Sequence, residues 1–299
     1  MNPSEVPISA PGVDALPLRA RPILRLEGIS MRFPGVLALD NVSLDVYPGE
    51  VHAIVGENGA GKSTLIAIAE GSLRPTEGSV EINALALGNP DPRIAERQGV
   101  GIVHQRPAFC PDLTLVENFV LGASGRPKVT RRAPWVLAQL SAMKSEIDPR
   151  LRADEMTVGE LQVAEISRAL EQGSAVLILD EPTEALSASE TELLFVRIRE
   201  AVAKGVGIVY ISHRMQDVRQ LADRITVLRD GRHEVTRDAA EISDLEVLEY
   251  VTGRPAETEF PVRSDSPLDG SLKLEAFVAQ GIEEISLSVD SGNILGVAG

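Results

Sequence analysis

The sequence predicts a layered α/β fold with a mostly parallel core sheet. Three observations lead to it. Short apolar runs (VHAIV, AVLILD, GIVYIS and ITVL) alternate with stretches of helical periodicity, the pattern of parallel strands joined by crossover helices. A glycine-rich turn from Gly56 to Ser63 stands between the first run and a helical stretch. A long, mainly helical region separates the first run from the second, which predicts an inserted helical subdomain over about residues 113–158.

The elements follow in order. From Ile23, ILRLEGI and VSLDV alternate apolar with polar residues, as half-buried strands do. Pro48-Gly49 turns the chain into VHAIV, whose unbroken apolar character suits a central strand buried on both faces. KSTLIAIAEG follows as a helix closed by Gly71. Between Leu113 and Gln172 the periodicity is helical, with breaks expected around Pro127, Pro134 and Pro149. Helical runs starting near Ser189 and Arg214 separate the later strands, and Asp230-Gly231 predicts a tight hairpin turn.

Bulk properties exclude several classes. The 299 residues are 43% hydrophobic and carry a formal net charge of -15. That balance supports a globular core and argues against a nucleic-acid partner, which would favour a basic face. The single cysteine, Cys110, excludes an internal disulfide and a cysteine-cluster metal site. The first 22 residues lack the basic start and apolar core of a signal peptide and predict a disordered leader. The apolar runs fall far short of the ~20 residues that span a bilayer, so any solute path through a membrane belongs to another chain.

The end of the chain repeats its beginning. VSLDVYPGEVHAIVG (Val42 to Gly56) aligns without a gap on ISLSVDSGNILGVAG (Ile285 to Gly299). Ser43, Leu44, Val46, Gly49 and Gly56 return as Ser286, Leu287, Val289, Gly292 and Gly299, and LRLE from Leu24 returns as LKLE from Leu272. Duplication explains a match in register across both glycines. The organisation expected is a leader (1–22), a first domain (23–253), a linker rich in Pro, Ser and acidic residues (254–270), and the start of a second domain (271–299) cut at its phosphate loop.

Two motifs carry chemistry on their own. GENGAGKS matches the phosphate-loop pattern GxxxxGK[ST] between a buried strand and a helix. Gly56, Glu57, Asn58, Gly59, Ala60 and Gly61 let successive backbone N–H groups face one anion. The helix beginning near Lys62, Ser63 and Thr64 adds its positive end. Lys62 is placed to meet the outer phosphates, and the Ser63 hydroxyl to ligate Mg²⁺. AVLILDEP is an apolar strand ending in two carboxylates. Asp180 suits a Mg²⁺ partner, and Glu181 can polarise an attacking water. Acidic residues at a strand end are commonly solvated caps; an upstream phosphate loop makes the chemical reading the better one.

With these motifs the sequence resembles the nucleotide-binding subunits of ABC transporters, from Ile23 onward. The resemblance implies a phosphate-loop NTPase of ABC type, with an antiparallel β subdomain beside the core sheet, that binds and hydrolyses ATP with Mg²⁺. It implies that Gln105, in GIVHQ, contacts Mg²⁺ or the lytic water, and that His213, in ISHR, contacts the γ-phosphate. It implies that Phe33 stacks on adenine and that MTVGELQ is the signature, with Thr157, Gly159 and Glu160 reaching the nucleotide of a facing cassette. Three departures stand out: Thr157 in place of a serine, Glu160 in place of a glutamine, and Ala188 near the position of a usual aspartate. They are expected to tune communication between cassettes, with slower hydrolysis a consequence.

FPGVLALDNVSL and GEVHAIVGENGAGKSTL resemble importers of ribose-like and galactose-like sugars, while VGIVHQ and DLTLVENFVLG are similar to nucleoside-type importers. The resemblance implies an ATPase at the cytoplasmic face of the cell membrane. Its implied partners are membrane permease subunits, an extracytoplasmic solute-binding protein and a second cassette or a self-dimer. A sugar is favoured over a nucleoside. Two other classes stay open: a non-transport ATPase acting on ribosomes or DNA, and a fragment that binds ATP and drives nothing.

Overall fold

The computed structural model describes residues 21–121, 131–255, 270–279 and 282–296. It divides into two compact units, Met1–Arg254 and Pro255–Gly299.

In the first unit, β1 (Leu24–Phe33) and β2 (Val36–Val46) form an antiparallel pair. The buried strand β3 (Val51–Val55) leads through the glycine-rich turn into α1 (Lys62–Ala69). Next come β4 (Glu77–Ile82), β5 (Leu85–Ala86), α2 (Pro92–Gln98) and β6 (Val100–Val103). The reading of the sequence passed over these four. Helix α2 did carry a local signal: Asp91 caps it by accepting from Arg93 N at 2.9 Å, with proline just inside the start.

Over the region where an inserted helical subdomain is expected lie α3 (Leu115–Leu121), α4 (Arg132–Leu140) and short 3₁₀ turns, before α5 (Val158–Glu171). One expectation needs correction. Pro134 does not break a helix; it lies in the first turn of α4, where a missing N–H costs no intrahelical bond. Pro127 lies outside the described residues. The chain then runs through β7 (Val176–Asp180), α6 (Ala188–Ala203), β8 (Gly207–Ile211), α7 (Met215–Leu221), β9 (Arg224–Arg229), β10 (Arg232–Asp238) and α8 (Asp244–Thr252).

The core sheet has the order β10-β9-β3-β8-β7-β6, parallel from β9 through β6, with β10 antiparallel at the edge. Asp230 and Gly231 join β9 to β10, with φ of 50° and 75°, the positive values that a two-residue turn needs to match strand twist. A separate antiparallel sheet has the order β2-β1-β4-β5. Both faces of the parallel sheet are covered, so its strands read as unbroken apolar runs. Ile178, Val209 and Ile211 pack toward Leu24, Leu26 and Leu65 on one face. Their neighbours Leu177, Leu179, Ile208 and Tyr210 pack toward Ile166, Leu194 and Ile198 on the other. Each such side chain contributes roughly 1.5–3 kcal/mol on burial. His52, the one ionisable group inside β3, is wholly buried, and burial pushes its imidazole below the usual range. Its ring nitrogens pair with Glu50 at 2.9 Å and Thr226 at 2.6 Å, which ties β3 to β9.

The second unit is a hairpin of β11 (Ser271–Ala279) and β12 (Ile282–Asp290). It repeats β1–β2 in pairing as well as in sequence. Leu24 faces Val46 and Leu26 faces Leu44; Leu272 faces Val289 and Leu274 faces Leu287. Both hairpins slip register before Ile29↔Val42 and Phe277↔Ile285. At the slip, Gly28 N donates to Ser43 Oγ at 3.0 Å and Ala276 N to Ser286 Oγ at 2.9 Å. The leader to residue 20, residues 256–269 of the linker, and Gly299, the counterpart of Gly56, lie outside the described residues. Among those described, no helix is long and apolar enough to cross a membrane.

Candidate functional site

Parallel strands end at one edge of their sheet, and loops leaving that edge converge. Here the glycine-rich turn leaves β3, Glu181 follows β7, and Ser212 and His213 follow β8. A backbone bond from Glu181 N to Ile211 O, 2.9 Å, stitches the last two together. Between these loops and the β2 strand opens a cavity of about 440 Å³. Asn58, Gly59, Gly61, Lys62, Ser63, Thr64, Asp180 and Glu181 all line it. Gly56, Glu57 and Ala60 belong to the same turn and are not among its lining residues.

The turn curls around its own lysine. Lys62 Nζ donates to Gly56 O at 2.6 Å and to Glu57 O at 2.9 Å. Burial lowers the Lys62 pKa, an effect opposed by the charges of Glu181 and Asp180. An ammonium has three protons, so a third acceptor can still be bound. Burial, then the neighbouring Glu181 charge, raises the Asp180 pKa, against His104 and Lys62. The site therefore holds a cation beside two crowded carboxylates at the N-terminus of a helix. That is the electrostatic frame for a polyphosphate carrying a divalent cation.

Glu181 has φ of 49°, a left-handed conformation that non-glycine residues adopt at some cost. Its Oε2 lies 2.5 Å from Nδ1 of His213, whose side chain is largely exposed. Gln105 is exposed and donates through Nε2 to Glu184 Oε2 at 3.0 Å. Phe33 ends β1 opposite Val36, partly exposed at the end of the hairpin. Gln105, His213, Phe33, Thr157, Gly159 and Glu160 are not among the residues lining the cavity.

Thr157, Gly159 and Glu160 form the start of α5. Thr157 caps the helix: its Oγ1 accepts from Glu160 N at 3.2 Å, and Glu160 Oε2 accepts from Thr157 N at 2.8 Å. The unusual Glu160 thereby completes a reciprocal capping box. At Gly159 a Cβ would stand 2.8 Å from Ala185 O, so the loop after Glu181 is packed directly on this helix start.

Some walls of the cavity escaped the sequence reading. Val36, Leu37 and Ala38 contribute an apolar side from β2, and Asp230 and Gly231 close another. The only trace was their place: three residues past Phe33, and a turn recognised for its shape alone.

Glu165 was also missed. It sits on α5, 1% exposed, where burial pushes its carboxyl up to about 7 against the opposing effects of Arg168 and the backbone of His104 and Ala108. A raised carboxyl pKa means stability that is full below the ordinary value near 4.5 and is lost as pH rises through about 7. Glu165→Gln should therefore unfold at higher urea than the parent chain at pH 8, by on the order of 2 kcal/mol. The advantage should shrink at pH 5; an equal gap at both pH values would show that Glu165 ionisation carries no such cost.

The ABC transporter family model matches residues 39–184. A protein of Agrobacterium fabrum, named as a ribose/galactose/methyl galactoside import ATP-binding protein, is 41% identical over 93% of this chain and 56% of its own length. A ribose import ATP-binding protein of Rubrobacter xylanophilus is 39% identical over 93% of this chain and 57% of its own. The chain thus spans just over half the length of these relatives. Among solved structures, the ADP conformation of an ATP-binding cassette of an ABC transporter superposes with a TM-score of 0.67 at 28% identity, over 79% of this chain and all of that one. A dimeric bacterial ABC transporter cassette gives 0.66 at 26% identity, over 72% of this chain and 98% of that one.

Proposed function

Since the chain carries an ATP-binding cassette of the ABC transporter family, we propose that it binds and hydrolyses Mg-ATP to power import of a simple sugar through a separate membrane permease. The observation that carries this reading is the single cavity shared by Lys62, Ser63, Asp180 and Glu181, with the signature segment outside it. A phosphate-binding half and a signature half kept apart in one cassette suit head-to-tail pairing, in which each site is built from two cassettes.

In this reading the N–H groups of the glycine-rich turn and the Lys62 ammonium hold the phosphates. The Ser63 hydroxyl and Asp180 carboxylate are hard oxygen donors, the kind that fit Mg²⁺ when phosphate and water supply the remaining ligands; Gln105 is a further candidate. Bound Mg²⁺ would neutralise charge on the transferring phosphoryl group. Glu181 orients and deprotonates the attacking water, and His213, already against Glu181, reaches the γ-phosphate. Phe33, with the apolar Val36 beside it, receives adenine. Thr157, Gly159 and Glu160 complete the site of the facing cassette. The repeated hairpin at 271–290 supports a second cassette beginning there. The names of the relatives support import of a ribose-like or galactose-like sugar; a permease, an extracytoplasmic solute-binding protein and a peripheral position at the cytoplasmic face of the membrane complete the proposal.

The test is Mg-ATP hydrolysis by the purified chain as a function of its concentration. Turnover per molecule should rise with concentration, because the working site needs two cassettes. Turnover independent of concentration would exclude pairing, and a chain that does not bind ATP at millimolar concentration would overturn the reading.

A further inference from the structure

The segments that carry Glu181 and His213 meet again below the cavity, at a residue that neither motif includes. Asp217 lies in the first turn of α7, one helical turn past His213, and is buried. Thr183, two residues past Glu181 and also buried, donates from Oγ1 to Asp217 Oδ2 at 2.6 Å. Tyr210 OH donates to the same oxygen at 3.4 Å, and Arg214 NH1 lies 3.7 Å from it. Tyr210 is wholly buried, and its ring is held edge-on by Phe195 of α6 at 6.5 Å. One carboxylate oxygen thus gathers groups from the β7–α6 loop, from β8 and from the start of α7.

The geometry points to Asp217 as a positioning residue that sets the Glu181–His213 pair. Glu181 is held at a positive φ, a conformation that persists only where the surroundings enforce it. Its loop is fixed above by the bond from Glu181 N to Ile211 O and below by the Thr183–Asp217 bond. His213 stands on the same helix start as Asp217, so any shift of Thr183 relative to Asp217 moves the proposed water-activating carboxylate relative to the imidazole. A buried hydroxyl–carboxylate bond of this kind is directional and costly to leave unmade. It therefore holds two loops in register where packing alone would let them slide.

This inference rests on the ATPase reading, and its test keeps the two apart. Asp217→Ala and Thr183→Val each remove the bond, the second with little change of shape. ATP affinity should stay within about twofold, while kcat falls about 10–100-fold, the scale of a small misplacement of reacting groups. The double variant should fall no further than Asp217→Ala alone, and Asp217→Asn, which keeps an acceptor oxygen, should recover much of the rate. Hydrogen exchange gives a readout independent of turnover: residues 181–187 and 208–217 should lose protection together in either variant, with β1 and β2 unchanged. Exchange altered only around the substituted residue, or rates falling additively, would overturn the clamp. A parent chain that neither binds nor hydrolyses ATP would instead overturn the ATPase reading and leave the exchange result to judge the clamp.

Discussion

Glu181→Gln is expected to bind Mg-ATP as tightly as the parent chain and to turn it over more slowly by on the order of 10²–10⁴-fold, the usual contribution of a positioned general base. The amide has the shape of the carboxylate and can still accept a hydrogen bond, so the left-handed backbone at this residue and the contact with His213 need not change. It cannot take a proton from water. Affinity and kcat should therefore separate cleanly. Loss of both together would mean that the charge of Glu181 shapes the pocket, through its attraction for Lys62. Undiminished turnover would place the base elsewhere.

Gly61→Ala is expected to cost about 2–3 kcal/mol of stability and to weaken ATP binding at least tenfold. Gly61 stands at the N-cap of α1 with φ of 98° and ψ of 0°, which an L side chain rarely adopts. An added Cβ would lie 2.7 Å from Leu39 Cδ2 and 2.8 Å from Ala38 O. Leu39 is wholly buried and Ala38 O is backbone, so neither can step aside cheaply. Strand β2 would be pushed off the turn, or the turn off β2, and both form the cavity. For a unit of this size the thermal midpoint should drop by roughly 4–12 °C, read by calorimetry beside an ATP titration. A variant with parent stability and affinity would mean that the turn relaxes freely away from β2.

The two substitutions differ in how visible their sites were from the sequence. The carboxylate pair Asp180-Glu181 is announced by the apolar strand it ends and by a phosphate loop upstream. The glycines are announced by their spacing around Lys62. Gly61 is more demanding: its motif predicts a turn, but only the approach of Ala38 and Leu39 shows why the position admits no side chain. The strands β4 to β6 were passed over because short segments such as EGSVEI carry too few alternations to outweigh their glycine. Pro134 was misread because a proline signals either a break or a first turn, and the periodicity on both sides was helical.

What the sequence by itself determined was the α/β class, the buried strands β3, β7, β8 and β9, the glycine-rich turn between strand and helix, and the repeat of the first strands at the end of the chain. These follow from periodicity and turn chemistry within a few residues of chain, and the repeat needs only the sequence compared with itself. What only the tertiary structure decided was which distant segments meet. It brought Val36 to Ala38 and Asp230-Gly231 to the cavity wall, Ala185 against Gly159, Glu165 under the loop of Gln105, and Thr183 onto Asp217. Each of these contacts depends on the order of strands in the sheet and on helices packed across it. Local hydrophobic pattern does not encode that order; it is set by which arrangement buries the apolar faces of all the elements at once.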